Sequence, residues 1–386
     1  MEIKDYIGNS EAFPILRHWD FYNHAGVAPL SRAAAEALRT FAREAEEGAY
    51  LDTHWYRDIE SLRGSTAKLM NAHRDEIAFV KNTSEGIATV ANGIEWRPGD
   101  RVVTTAIEYP ANIYPWMDIA RRFGVELVNV AEQTGLDGAS RVPLQDILDA
   151  AAHSRTRIVT LSHVEFASGQ RHDLAVIGRF CRERGKLLCV DGIQTLGVLP
   201  VDVVAMNIDY LAADGHKWLL GPEGAGILYC RRELLAQTRP LLIGWMNVIN
   251  AVDYGDYDFT LKPNAAKFEC GSWNVPGFLG LKASLELLLS LGTEEISERV
   301  LGLTNRLIDG LRAKGYSILS PRGEGEWSGI VSFASPNQDH DRIVLTLRKE
   351  HRIEIALREG RLRASPHFYN TEEQIDRLIE VVGRRQ

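Results

Sequence analysis

The sequence predicts an α/β protein, a mainly parallel sheet flanked by helices, with a smaller α+β unit at the C-terminal end. Two patterns lead there. From about residue 77 to 230, short β-branched runs alternate with longer amphipathic stretches, as repeated βα units require. After Gly292 the order changes to a long helix followed by mixed strands and helices. A chain of 386 residues also exceeds one simple core, so a large domain with a smaller companion is expected.

Taken in order, the strand candidates are EIAFV, RVVTT, ELVNV, RIVTLS, KLLCV, DYLAA and GILYC. Between them, residues 111–123 and 174–184 repeat apolar positions at spacings of three and four, as helices covering a sheet do. Beyond Gly292, TEEISERVLGLTNRLIDGLRAKG reads as a long amphipathic helix with Thr293 as its N-cap. Strand-like IVSFAS, a helix over 341–349, a strand pair near 352–365 and a last helix from Thr371 follow, with Thr371 and Gln374 as a capping box. The expected division is a large domain over 16–292 and a small one over 293–386 that also takes in 1–15.

Composition narrows the function. A net charge of −8, with no block of like charges, argues against a nucleic-acid partner. No run of about eighteen apolar residues occurs and MEIKDYIGNSEAF lacks a basic flank before an apolar run, so a cytoplasmic protein with no membrane partner is expected. Cys181, Cys189, Cys230 and Cys270 have no C-x-x-C spacing and no histidine cluster, which predicts reduced thiols and no metal site.

In open α/β sheets ligands collect at the carboxyl ends of strands. In KNTSEGIA a strand runs into a helix start with Asn82, Thr83, Ser84, Glu85 and Gly86, where free N–H groups and hydroxyls form an anion site. A plain capped helix explains the same residues, with Asn82 as cap and Glu85 closing the box. In CVDGIQT, Asp191 leaves an apolar strand, with Gln194 three residues on; it can pin a protonated ring nitrogen or simply cap a turn. In DGHKWLLGPEG, Lys217 follows another strand, where partial burial would make its amine nucleophilic and able to form a Schiff base; a surface turn lysine is the alternative. Anion cradle, carboxylate and lysine, in that order after successive strands, are the three anchors that pyridoxal 5′-phosphate requires.

These residues are also recognisable. SHVEFASGQ, VDGIQ, DGHKWLLGPEG and FECGSWN, between YNHAGVAPL near the start and RASPHFYNTEEQID near the end, make the chain resemble the class V aminotransferase and cysteine desulfurase family of pyridoxal-phosphate enzymes of fold type I. The resemblance implies Lys217 as the Schiff-base lysine, Asp191 as the pyridinium partner and Gln194 as a donor to the phenolic oxygen. It implies Tyr109, in IEYPANIYPW, as the ring stacked on the cofactor. It places the phosphate on the Thr83 and Ser84 amides and the Ser84 hydroxyl, helped by His216. Ser272 would reach the phosphate of a partner subunit, which implies a homodimer with shared sites.

By the same resemblance Arg363 takes the substrate α-carboxylate, a task suited to a guanidinium fork. Asn23, His24 and Gly26 line the entrance, and His163, Glu165 and Ser168 contact ring substituents. Alternation puts Arg361 on the same strand face as Arg363, so a pair of solvent-facing arginines is the competing view. Asp214 stands where many desulfurases place a phosphate-binding serine; a carboxylate there must be turned away or paired.

RIEIALREGRLRASPHF carries no cysteine and no cysteine lies beyond Cys270, from which persulfide-forming desulfurase chemistry is expected to be absent. The expectation is an aminotransferase-like enzyme acting on a small α-amino acid. A β-eliminating C–S lyase stands next and an epimerase third. From another class, a catalytically inactive binding subunit is opposed by Lys217, Asp191 and Arg363 together, and a Rossmann protein by the lack of G-x-G-x-x-G after the first strand.

Overall fold

A seven-stranded sheet sits at the centre of the computed structural model, which describes residues 2–255 and 257–382. Its strands are β1 (Ile77–Val80), β2 (Arg101–Thr105), β3 (Glu126–Val130), β4 (Thr156–Ser162), β5 (Leu187–Asp191), β6 (Tyr210–Asp214) and β7 (Gly226–Cys230). They lie in the order β1-β7-β6-β5-β4-β2-β3. Successive strand residues point to opposite faces. Ile77, Phe79, Val103, Val159, Leu188 and Val190 therefore join one apolar cluster, and Ala78, Val80, Val102, Ile158 and Cys189 join another.

Helices cover both faces. α3 (Thr83–Gly93) and α4 (Tyr114–Phe123) bury Ile87, Val90, Trp116 and Ile119 in the second cluster. α2 (Trp55–Leu69), α5 (Leu144–Ala151), α6 (Leu174–Glu183) and α7 (Val275–Leu291) supply Ile59, Ile147, Ile177 and Leu285 to the first, while α1 (Arg32–Gly48) lies against α7. The result is the three-layered α/β architecture the sequence predicts. One strand runs against the rest: β7 pairs antiparallel with both β1 and β6. The connector 215–225 is too short for a crossover helix, so the chain must turn straight back. That connector carries Lys217.

A four-stranded antiparallel sheet of Ser317–Ile318, Val331–Ala334, Ala356–Arg358 and Arg361–Ala364 packs with α8 (Thr293–Ala313), α9 (His340–His351) and α10 (Glu372–Val382). Leu303, Leu307, Phe333, Leu347, Leu362 and Leu378 form its core. The start of the chain reaches this region: Asp20–Phe21 pairs in parallel with Ile353–Glu354, and Asn23 bridges to Ser365. Thr371 and Gln374 make the predicted capping box, at 3.1 and 3.2 Å. Thr293 is not the cap of α8. Gly292, at φ 86°, ends α7 and is also the N-cap of α8, a left-handed backbone that favours glycine, which leaves Thr293 as the first helical residue.

The edge of the large sheet is fastened by a buried ion pair. Arg63 of α2 donates to both carboxylate oxygens of Glu269, at 2.6 and 3.2 Å, and Glu269 also accepts from Phe79 N and Trp273 Nε1, each at 2.9 Å. Removing one member of such a pair strands the other charge, a cost of about 3–5 kcal/mol. Glu269→Ala should therefore lower the unfolding free energy, read from a urea titration, by an amount in that range; an unchanged value would mean that Glu60, the other carboxylate on Arg63, suffices.

Candidate active site

The carboxyl ends of the central strands are level, with Ser162 opposite Asp191 and Asp191 opposite Ala212. Over this edge lies a cavity of about 800 Å³. Its walls include Thr83 and Ser84 from the start of α3, Tyr109 beyond β2, Asp191 and Gln194 at and beyond β5, and His216 and Lys217 from the β6–β7 connector. Asn23, Gly26 and Arg363 complete it from the side of the small sheet.

The α3 start is open to an anion. Asn82 Oδ1 accepts from Glu85 N at 3.0 Å, and the Glu85 carboxylate reaches back to Lys81 N rather than closing a box on Asn82. Thr83 Oγ1 is buried without a hydrogen-bond partner among the described residues. Gly86 allows the close approach of this helix to the sheet, since a Cβ there would stand 2.7 Å from that of Ala212.

Lys217 is 8% exposed and its Nζ lies 5.4 Å from the centre of the Tyr109 ring. Burial pulls its pKa down to about 8; Asp191 works against that shift, and the Arg363 and Arg358 cations add to it. Burial raises the Asp191 carboxyl to about 6, offset by the Ile193 N–H, 3.0 Å away, and by Lys217. One oxygen of Asp214 is committed to backbone N–H groups of its own connector, those of Gly215 and Ala225. Its Oδ1 accepts from Gly215 N at 2.7 Å, and its Oδ2 lies 2.9 Å from His216 Nδ1, within ion-pair range though not aligned as a hydrogen bond.

Across the cavity, Arg363 is 1% exposed, so the view of it as a solvent-facing arginine fails. It donates to Phe166 O at 2.6 Å and to Asn23 Oδ1 at 3.2 Å, its Nε has no partner, and among the described residues no carboxylate pairs with it. Burial, then Arg358, lowers its pKa to about 9. Arg361, two residues earlier, turns away to Glu132 at 3.3 Å. A buried cationic fork with no acid partner suits a carboxylate ligand. Arg358 and Glu354 also line the cavity and were missed; their only sequence signal was the apolar–polar alternation of RIEIALREGR.

Gln194 is held by both ends of its amide, which donates to Ala25 O at 3.0 Å and accepts from Trp218 Nε1 at 2.9 Å, leaving one N–H free. Tyr109 meets Phe166 edge-on at 5.2 Å between ring centres. Several predicted residues lie outside the cavity wall. The His24 ring is fully buried between Ser365 O at 2.8 Å and Tyr369 Oη at 2.6 Å, so it joins the two ends of the chain and does not face a substrate. Ser168 accepts from Gln170 N at 3.2 Å, its carbonyl accepts from Ser320, and both bonds hold the loop. Glu165 bonds Thr105 at 2.9 Å and His172 at 3.0 Å below the loop, and His163 faces a different cavity. Ser272 lines a separate cleft with Glu269 and Trp273.

The residues present fit pyridoxal phosphate: an unpartnered hydroxyl at a helix start, a buried carboxylate lacking a cation within bonding distance, and an amine tuned toward neutrality. Residues 30–378 match the family described as aminotransferase class-V. A probable cysteine desulfurase of Methanothermobacter thermautotrophicus is 34% identical over 96% of this chain and 95% of its own. C-DES, a cystine C–S lyase solved with its reaction product cysteine persulfide, superposes with a TM-score of 0.87 at 28% identity, over 96% of this chain and 99% of its own. A mutant of it carrying glycine covalently linked to the PLP cofactor gives 0.88 at 27% identity, over 97% and 99%. Cysteine desulfurase CsdA from Escherichia coli gives 0.87 at 25% identity, over 99% and 98%.

These relatives correct one expectation. Desulfurase chemistry was set aside because the chain has no cysteine in RIEIALREGRLRASPHF, yet the proteins it matches are named cysteine desulfurases, and a cystine lyase among them releases a persulfide. The reason is chemical: a search for a nucleophile within the chain overlooks sulfur that leaves on, or passes to, a small molecule. The fold is that of fold type I, the cofactor is pyridoxal 5′-phosphate, and the chain belongs to the class V aminotransferase family of enzymes that use it.

Proposed function

We propose that the protein cleaves the C–S bond of a small sulfur-bearing α-amino acid of the cysteine and cystine class. The observation that carries this reading is the pairing of Lys217 and Arg363 across one cavity, each buried and neither with an acid partner in hydrogen-bonding contact. Arg363 grips the α-carboxylate and, with Asn23, fixes the amino acid so that its α-hydrogen faces Lys217. Bound pyridoxal phosphate supplies an electron sink for the charge left at Cα. Lys217 Nζ would hold the cofactor and, once the substrate's amine takes its place, would be the free amine that takes the α-proton. Thr83, Ser84 and His216 would hold the cofactor's phosphate, Asp191 would favour a protonated ring nitrogen, and Tyr109 would be the aromatic side chain beside its ring. The names of the relatives favour a sulfur leaving group over transamination, the sequence expectation.

Cysteine, cystine and alanine supplied to the holoenzyme test this. Either alanine should appear with persulfide on an added thiol acceptor, or pyruvate and ammonia should appear with sulfide from cysteine and with cysteine persulfide from cystine, and the co-product tells where the sulfur goes. Keto acid and pyridoxamine phosphate formed in equal amounts, without sulfur release, would overturn the reading in favour of transamination. Arg363→Gln should raise KM by about tenfold or more, as loss of a charged hydrogen bond does. Lys217→Ala should lower turnover by about 10²–10⁴-fold, the range general acid–base groups supply.

The Lys217 amine also sets a pH dependence. A lysine with a depressed pKa is protonated below that value and nucleophilic above it, so acylation of Lys217 in the apoenzyme, followed by peptide mass spectrometry, should rise through about pH 8. Asp191→Asn removes a nearby negative charge and should move the midpoint lower; Arg363→Gln removes a cation and should move it higher. A midpoint near that of a free lysine in all three proteins would contradict the geometry.

We also infer a homodimer. Trp245, Tyr254, Tyr257 and Phe259 are exposed around one groove, an apolar surface of the kind a partner chain covers. Ser272, outside its own chain's cavity, is then free to serve the partner's site. Sedimentation should give a dimer that Tyr257→Asp weakens; a monomer at micromolar concentration would contradict it.

A further inference from the structure

The Tyr109 ring is 46% exposed, and the contacts that steady it are an edge-on meeting with Phe166 and the Lys217 amine 5.4 Å from its centre. Such a ring takes its place largely from the main chain that carries it. That main chain is fastened on both sides of Tyr109 to one strand, β4. β2 pairs with β4 as far as Val103 opposite Val159, and beyond that point side chains continue the connection.

On one side, the Glu108 carboxyl reaches the last residue of β4: Ser162 N donates to Oε1 at 2.5 Å, and Oε2 shares a hydrogen bond with the Ser162 hydroxyl at 2.7 Å. On the other, Asn112 Oδ1 accepts from Thr160 Oγ1 at 2.7 Å and from Trp116 Nε1 of α4 at 3.0 Å. Glu108, Asn112, Thr160 and Ser162 are all buried. Between the two ties the chain has little freedom, since Pro110 fixes its own φ and Asn112 N donates to Tyr109 O at 2.9 Å. Ser162 also stands opposite Asp191 in the sheet, so the Glu108 tie sets Tyr109 against the strand that neighbours that carboxylate. Burial, then the nearby Glu165 carboxyl, raise the Glu108 acid well above the usual carboxylate range, against the pull of the two Ser162 bonds. It is therefore a neutral group at neutral pH, and an amide of the same shape can make the same two bonds.

We propose that Glu108 and Asn112 are positioning residues that set the Tyr109 ring against the cofactor ring, through their ties to Ser162 and Thr160 of β4. The inference rests on Tyr109 as the aromatic side chain beside that ring, and it is independent of which bond the enzyme breaks. A ring face already in place loses little freedom when a ligand arrives, which is what two buried polar ties around an otherwise lightly held side chain secure.

The test reads the dissociation constant of pyridoxal phosphate for the apoprotein and the visible circular dichroism of the bound cofactor, which reports the surroundings of its ring. Tyr109→Ala should weaken binding about two- to tenfold, the range of an aromatic contact, and change the dichroism. Glu108→Ala should give a loss no larger than that with a similar spectral change, and combined with Tyr109→Ala it should bind no more weakly than Tyr109→Ala alone. Glu108→Gln should restore both readouts to those of the wild type. Thr160→Val, which removes the second tie, should behave as Glu108→Ala does and decides the matter if that variant does not fold. An unchanged constant and spectrum in Tyr109→Ala would refute the reading of that ring and this inference with it. Where Tyr109→Ala does weaken binding, losses that add in the double variant, a Glu108→Gln protein as impaired as Glu108→Ala, or Glu108→Ala and Thr160→Val indistinguishable from the wild type would overturn this inference and leave Tyr109 beside the ring.

Discussion

The structure depends on keeping one amine dry. Lys217 sits at the end of an apolar strand, walled by Tyr109 and the start of α3, with Asp191 near enough to pull on its charge but not to pair with it. Desolvation and two arginines push the proton off; the carboxylates of Asp191 and Asp214 hold it on. Were Asp191 in contact with the amine, the pair would be locked as an ion pair and neither group could serve a ligand. The separation leaves both the amine and the carboxylate available to a ligand, and pyridoxal phosphate would offer each its complementary group.

Rigid elements maintain that separation. Asp191 and Asp214 end neighbouring strands whose register is fixed by the sheet, and Lys217 follows in a connector bounded by β6 and β7. Leu220 in this connector takes a left-handed conformation, φ 56°, while fully buried, with its carbonyl accepting from Ser284 at 2.7 Å. Such strain persists only where surrounding contacts determine it. Arg363 comes from the other sheet, and its position depends on the chain's first residues, since Asn23 contacts the guanidinium and His24 is clamped by Ser365 and Tyr369. The Arg363 end of the cavity is thus built from two distant parts of the sequence.

Much of this was legible beforehand. Short apolar runs gave every strand of the large sheet, because burial on both faces of all but the Glu126–Val130 strand leaves little choice of residue, and strand ends pointed to Thr83, Asp191 and Lys217. Direction was not legible: GILYC has the hydropathy of a parallel strand and reverses only because the loop before it is short. Depth was not legible either. Arg361 and Arg363 are alike in sequence, yet one is paired with Glu132 and the other is buried, since the neighbours that decide this come from residues 23 and 166. His24 and Ser168 match motif positions but spend their polar atoms on holding loops. The sulfur chemistry was misjudged because a sequence displays its own nucleophiles and not those of its substrates.

The most direct measurement is to find where the cofactor is attached. Protein isolated with pyridoxal phosphate is reduced with borohydride, digested and mapped by mass spectrometry. The account predicts a yellow protein that bleaches on reduction, with the pyridoxyl group on the peptide containing Lys217 and on no other lysine. A colourless protein, or label spread over surface lysines with Lys217 unmodified, would contradict it.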